Sequence, residues 1–247
     1  YGNLIYNSII GNTQHKFATG LSGTYDDYNE QLTTSALAGD FSRIDRSIGA
    51  FFEYTYDNSS NFSFVAGIRA DSHNNLGNFI TPRFHLRYNP WKQATFRLSA
   101  GRGKRAANVI AENQQLLASS RQLHIIGGDG GKLYGLNPEI AWNYGASFLQ
   151  AFKIWGKNAE LSVDFYRTHF DNQVVVDLDH SPQQALFYNL DGKSFANSLQ
   201  AEVSISPAKG LDFKAAYKYY DVQTQFTKGQ LEKTLTPKHR WFANIAY

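Results

Sequence analysis

Apolar and polar residues alternate one by one along most of this chain. Between Thr81 and Arg105, Phe84, Leu86 and Tyr88 share one parity, while Arg83, His85 and Arg87 share the other. After Asn89-Pro90 the alternation resumes, with Phe96, Leu98 and Ala100 opposed to Thr95, Arg97 and Ser99. A period of two is strand geometry, and Asn-Pro marks a turn. Upstream, Phe17, Thr19, Leu21, Gly23 and Tyr25 form one row. Ile48, Ala50, Phe52, Tyr54 and Tyr56 form the next, and Phe62, Phe64, Ala66, Ile68 and Ala70 a third, opposite Ser63, Gly67, Arg69 and Asp71. Downstream, similar rows begin after Pro138 and after WGKN at 155–158. The second of these runs on through QVVVDLD to about Asp179. Further strands are expected over 186–206, from Leu211, and through Trp241 to Tyr247. The pattern predicts about eleven antiparallel strands.

Two regularities point beyond an ordinary sheet. Several predicted strands exceed the roughly 5–6 residues typical of soluble sandwiches. Tight turns fall near residues 11, 58, 91, 156 and 208, and the connections between them are generally longer. Transmembrane barrels have that asymmetry, with short periplasmic turns and longer outer loops. Aromatic residues crowd the tight turns, as in an interfacial girdle: Tyr54, Tyr56 and Phe62, then Tyr88, Trp91 and Phe96, then Phe152, Trp155 and Phe213. The expected fold is all-β, a partial antiparallel transmembrane β-barrel forming one domain over residues 1–247. Phe52, Phe64, Leu98, Val163 and Val203 should face outward. Glu53, Arg69, Arg97, Asp164 and Glu202 should face the lumen. A soluble β-sandwich is the alternative, and would bury the first set between two sheets.

Composition agrees with a wall that is wet on one side. Charged residues are 18% of the chain, below the roughly 25% of soluble domains. Aromatics reach 15%. No apolar run reaches the ~18 residues of a membrane helix, so a membrane reading has to use strands. The net charge of +3, without a Lys/Arg block, gives no reason to expect nucleic acid. With no Cys there are no disulfides or thiolate metal sites. The chain starts and stops in mid-pattern and reads as a piece of a longer protein.

At this point the chain resembles the barrel part of TonB-dependent outer-membrane receptors, in the style found in Bacteroidetes. The matching pieces are TPRFHLRYNP with RLSAGRGKR, AENQQLLASSR, GLNPEIAWNYGASF, DFYRTHFDNQVVVDLD and YNLDGKSFANSLQAEVSISPAKGLDFKAAYKYYD. The resemblance implies a larger barrel in the outer membrane of a Gram-negative cell, occluded by a plug domain. It implies binding of a scarce substrate (siderophore, cobalamin or glycan) at the outer face. TonB would act as a partner through the plug, and outer-membrane lipid would surround the wall. This chain shows neither a plug nor a TonB-contacting segment. The resemblance implies transport, not catalysis, and calls for no cofactor.

The longest predicted non-strand stretch, from Ala106 to Asn137, is the first candidate for ligand capture. ANVIAENQQLLASSR within it has helical composition, and IIGGDGGKLYG is rich in glycine. Arg105, Asn108, Glu112, Asn113, Arg121, His124 and Tyr134 are its candidate ligand contacts. Arginine offers a planar fork for carboxylate or phosphate, and tyrosine a flat amphipathic surface. The same residues would otherwise tie the loop to its neighbours. The lumen row Arg69, Asp71, Arg83, Arg87 and Arg97 is the second candidate, expected to face a plug through ion pairs.

Other motifs carry less. GGDGGK at 127–132 lacks the Walker spacing, and Lys132 is followed by Leu133. The histidines show no HExxH. Glu160 and Asp164 share a face, but four strand residues separate them by about 13 Å, wide for a glycosidase pair. No G-x-S-x-G occurs, so a rim hydrolase has no nucleophile context. A passive porin shares every alternation argument and is the rival function.

Overall fold

The computed structural model describes residues 1–33, 37–127, 133–226, 228–233 and 236–247. Its frame is one twelve-stranded sheet. The long strands are β1 (Gly2–Ile10), β2 (Asn12–Tyr28), β5 (Arg43–Asp57), β6 (Phe62–His73), β7 (Gly77–Tyr88), β8 (Ala94–Arg105), β10 (Glu139–Ile154), β11 (Lys157–Asn172), β14 (Ser194–Ala208) and β15 (Leu211–Phe226). The short β16 (Gly229–Glu232) and β17 (His239–Ala246) both pair with β15. Every pairing within this sheet is antiparallel, and β2 extends to 17 residues. The long strands β2, β5–β8, β10, β11, β14 and β15 exceed the roughly 9–11 residues needed to span a membrane.

The connections near residues 11, 58, 91, 156 and 208 lie at one end and use residues suited to them, while the three-residue β6–β7 turn lies at the other. Between β10 and β11, Trp155 and Gly156 both take positive φ, 50° and 78°. That is the two-residue hairpin whose twist matches the flanking strands. Asn58 caps its own turn, accepting the backbone N–H groups of Ser60, Asn61 and Phe62 at 3.0 Å.

The registers sort side chains onto two faces. Tyr56, Phe64, Leu86, Leu98, Ala146, Phe165, Leu199 and Tyr219 are successive cross-strand partners over eight strands. The next row, of opposite parity, runs Ser63, Arg87, Arg97, Ser147, Asp164, Gln200 and Lys218. The apolar face is not packed into an interior. Phe52 is 45% exposed, Val203 41% and Leu98 36%. Its rings pack laterally instead, Tyr54 on Phe64 at 5.8 Å and Phe64 on Phe84 at 6.1 Å. A sandwich would have covered these residues with a second sheet. Lipid is the solvent that leaves such a face stable.

The packed core lies elsewhere. At the opposite end, the β8–β10 and β11–β14 connections supply a cap. It contains a 3-10 helix (Ala111–Ala118), β9 (Gln122–Ile126), β12 (Val174–Asp177) and β13 (Gln184–Asn189). The three strands form a separate sheet in the order β12-β13-β9, with β13 and β9 parallel. Ala107, Val109, Leu116, Leu123, Leu136, Val174, Ala185 and Phe187 make its core, with Phe187 1% exposed. A hairpin of β3 (Gln31–Thr33) and β4 (Ala38–Asp40) sits in the loop before β5, and Leu37 packs against the cap core.

Three expectations need correcting. The stretch 106–137 is not without strands, since it contains β9. The strand beginning after WGKN ends at Asn172, and QVVVDLD belongs to the cap. The expected strand over 186–206 is two strands, β13 in the cap and β14 in the wall. In the last two cases a run of apolar residues, Val174-Val175-Val176 or Leu186-Phe187, lies largely buried in a small sheet rather than alternating along a large one. The glycine cluster falls at 128–132 outside the described residues.

Candidate functional site

The cap and the polar face of the wall meet over β14 and β15. A cavity of about 490 Å3 lies between them. The cap contributes Glu112, Asn113, Gln115 and Leu178, and the wall contributes Ser194, Ala196, Tyr220, Val222 and Thr224. Those wall residues share the parity of Gln200 and Lys218, so the cap covers the polar face, and that face is the lumen side. Phe170, Tyr220 and Phe226 give the cavity aromatic surface, while Gln115 and Gln173 give it carboxamides. The Gln173 carbonyl accepts a hydrogen bond from Ser194 Oγ at 2.6 Å. Aromatic faces beside amides and hydroxyls suit a ligand that is partly apolar and rich in hydrogen-bonding groups.

Most of the loop residues singled out from sequence hold the cap together. Arg105, on the last residue of β8, bonds both oxygens of Glu112 at 2.9 and 3.1 Å and Glu139 Oε2 at 2.7 Å. Glu112 also accepts the backbone N–H of Asn108 at 3.3 Å. Arg121 donates to three carbonyl oxygens, of Leu178, Ser181 and Gln184, at 2.8–3.0 Å. It thereby fastens the β9 segment to the β12–β13 connection. Asn113 bonds the carbonyl of Val109 at 2.8 Å while lining the cavity. His124 is exposed on β9.

Asn108 and Tyr134 converge on a residue that sequence reasoning missed. Arg43, at the start of β5, has a side chain only 7% exposed. It bonds Asp45 at 3.2 Å, the Tyr134 hydroxyl at 3.4 Å and Asn108 Oδ1, and stacks 4.2 Å above the ring of Tyr28. The Tyr134 hydroxyl donates to Glu30, and its ring packs on Phe41 at 5.2 Å. Burial, followed by the hydrogen bond and charge of Glu30, pushes the Tyr134 hydroxyl well above its ordinary pKa, with Arg43 pulling partly back. This latch joins the 106–137 loop to the start of β5. Local sequence carries no sign of it, because its members lie up to 104 residues apart.

The lumen arginines divide into two kinds. Arg69 bonds Asp71 at 2.5 and 2.8 Å and reaches across Gly49 to Ser22 Oγ at 2.7 Å. Arg83 crosses Gly67 to pair with Glu53. A Cβ on Gly67 would stand 3.0 Å from Arg83 Nε, so glycine makes room for the crossing. Arg87 and Arg97 instead stand directly opposite one another, and among the described residues neither has a carboxylate partner. Both line an open groove of about 630 Å3 with His85, Asp164 and Tyr166. Like charges directly opposed are unfavourable unless an anion joins them.

Among the described residues, no group of three or more His, Asp or Glu side chains is placed to hold a metal ion. Among the described residues, no helix is long and apolar enough to cross a membrane. A family model described as TonB dependent receptor-like, beta-barrel matches residues 1–247. No curated protein sequence matches. Among solved structures, the ferric enterobactin receptor of Pseudomonas aeruginosa in complex with enterobactin superposes with TM-score 0.67 at 16% identity. That match covers 98% of this chain and 38% of the receptor. The siderophore receptor PirA from Pseudomonas aeruginosa gives TM-score 0.60 at 14% identity, covering 98% of this chain and 46% of that one. The FrpB iron transporter from Neisseria meningitidis gives 0.60 at 14%, covering 99% and 39%. The chain thus spans less than half the length of each of these three structures.

Proposed function

This chain belongs to the TonB-dependent receptor β-barrel family, and from that premise we propose that it forms wall and outer cap of a receptor for uptake of a scarce substrate. The family places the sheet in the outer membrane of a Gram-negative cell. The substrate class is cobalamin, a ferric siderophore or a glycan, and TonB supplies the work through a plug domain seated in the lumen. The sequence pieces that resemble receptors of the Bacteroidetes support an origin there. The observation that carries the reading is the cap itself. A passive pore needs an open mouth, whereas here two outer connections fold together over the polar face and enclose an amphipathic cavity against it.

Within that reading, the roles of the candidate residues separate. Gln115, Gln173, Tyr220 and Phe226 are the ligand contacts, with Glu112 and Asn113 at the margin. Arg105, Asn108, Arg121 and Tyr134 hold the cap in place, and His124 is free to meet ligand from the outside. Arg87 and Arg97 face the plug and take carboxylates from it, while Arg69, Asp71 and Arg83 stiffen the wall. The test is uptake by cells carrying the full-length receptor, offered cobalamin, a ferric siderophore and a neutral oligosaccharide in turn. One class should enter only when TonB is present. Tyr220→Ala should reduce its uptake roughly tenfold, the scale of one lost aromatic contact. Entry of all three without TonB would establish the porin instead. Removing 106–137 alone would expose the remaining half of the cap core, so point variants make the cleaner experiment.

A further inference from the structure

The seam between β7 and β8 is closed along only part of its length. The two strands pair from Tyr88–Phe96 as far as Arg83–Gly101. Beyond that level Gly77–Pro82 stays with β6 and Arg102–Arg105 stays with β10, so the wall forks. Pro82 stands at the fork, and a proline has no N–H to give a ladder. Backbone groups two residues apart on a strand point to the same neighbour. The carbonyl of Ile80 is turned to β8, where Arg102 takes it at 3.2 Å. The N–H that Pro82 lacks is therefore one that β8 would have received.

Side chains span the gap in place of the ladder. Besides the contact of Arg102, Lys104 donates to the carbonyl of Leu76 at 2.6 Å. Lys104 has the outward parity of β8, yet its ammonium lies 5.2 Å from the ring of Phe79, which has the lumen parity of β7. Its side chain thus passes through the level of the sheet, which a continuous ladder would forbid. The glycines of β8 record the same divergence. A Cβ on Gly101 would stand 3.6 Å from the carbonyl oxygen of Pro82, whereas one on Gly103 would meet nothing within 4 Å.

A cavity of about 280 Å3 opens at the fork, taking Ile68 and Pro82 from the outward parity and Phe51, Thr81 and Arg83 from the lumen parity. Among the described residues its lining includes three guanidinium groups, of Arg69, Arg83 and Arg102, and no carboxylate. Arg83 gives only Nη2 to Glu53, which leaves the rest of its planar fork for a second carboxylate. Apolar walls beside guanidinium groups fit an aliphatic chain that ends in an acid, and the small volume takes one chain rather than a diacyl lipid. We propose that the β7–β8 fork is a lateral port for a long-chain fatty acid. The tail lies along Ile68, Ile80 and Pro82 towards the membrane, and the carboxylate meets Arg83 on the lumen side. Such a molecule exchanges between lumen and lipid without passing through the cap cavity.

The full-length receptor in lipid nanodiscs, offered palmitate with a photoreactive group at the end of its tail, tests this. Labelled residues are read by mass spectrometry. The label should concentrate on Ile68, Ile80 and Pro82, and unlabelled palmitate should displace it where methyl palmitate does not. Gly103→Phe fills the open space from β8 and Thr81→Phe fills it from β7, so either folded variant should lose most of the labelling. Arg83→Gln should raise the palmitate concentration needed by about tenfold, the scale of one hydrogen bond between charged groups. Label spread evenly over the outward rows, equal displacement by methyl palmitate, or undiminished labelling of a folded Gly103→Phe or Thr81→Phe receptor would each overturn the proposal.

Discussion

Wall and cap are made of the same residue types and hide them in opposite directions. In the wall, Phe52, Leu98 and Val203 point away from the protein and pack only sideways against neighbours in the same sheet. In the cap, Phe187, Val175 and Leu136 are all but inaccessible, as in a small soluble domain. The difference is a difference of solvent. A lipid-facing residue needs no partner across it, so a single layer suffices. A water-facing cap must close on itself to remove apolar surface. Burial fraction alone would therefore rank the wall as poorly folded and the cap as the centre of the molecule. The registers show the reverse: the long strands position everything, and the cap rests on them.

Phe187→Ala should sharpen the contrast most. A buried phenylalanine lost from a small core costs about 3–5 kcal/mol, comparable to what a cap of this size can supply. Hydrogen exchange should rise throughout β9, β12 and β13, while the barrel keeps its resistance to unfolding in detergent. Rapid exchange spreading into β10 and β11 would show that wall and cap are one cooperative unit.

Val163→Arg and Ser162→Arg probe the wall from its two sides. Val163 lies in the outward row, where an arginine near the bilayer midplane costs about 2–4 kcal/mol. Its neighbour Ser162 faces the lumen, opposite Glu202, and the same substitution there should be nearly neutral. Refolding into liposomes with urea titration measures both. Equal costs would break the assignment of faces.

Tyr134→Phe has the smallest effect, about 1–2 kcal/mol on docking of the 106–137 loop, because it removes a hydrogen bond to a charged partner. The folded hydroxyl has its pKa raised, so its contribution is complete below the unfolded value of about 10 and declines as pH rises beyond it. The loop should loosen in alkali by proteolysis or exchange, and the variant should lose that part of the pH dependence.

How much of this was legible in the sequence follows the same division. Alternation is local, so Phe62 to Ala70 or Leu161 to Phe165 declared their strand and their faces without knowledge of any partner. The tight turns declared themselves too, through Asn58 and Trp155-Gly156. The cap did not. Gln184–Tyr188 pairs in parallel with Gln122–Ile126, and nothing within either segment names the other. Val174-Val175-Val176 did carry a signal, since three successive apolar residues break a period of two. Arg43 carried none, because an arginine at the start of a strand looks the same whether it meets water or a buried Asp45.

The parallel pairing of β9 with β13 also sets an order in time. Its two segments are separated by the β10–β11 hairpin, and joining them directly would mean closing a long loop with few contacts in return. Once that hairpin is zipped, its strand ends deliver the two segments to the same place. The cap is then expected to close after that hairpin has formed. Until it does, Val174–Val176 and Leu186–Phe187 are unprotected adhesive stretches, and the interval between completion of the hairpin and closure of the cap exposes them to other copies of the chain.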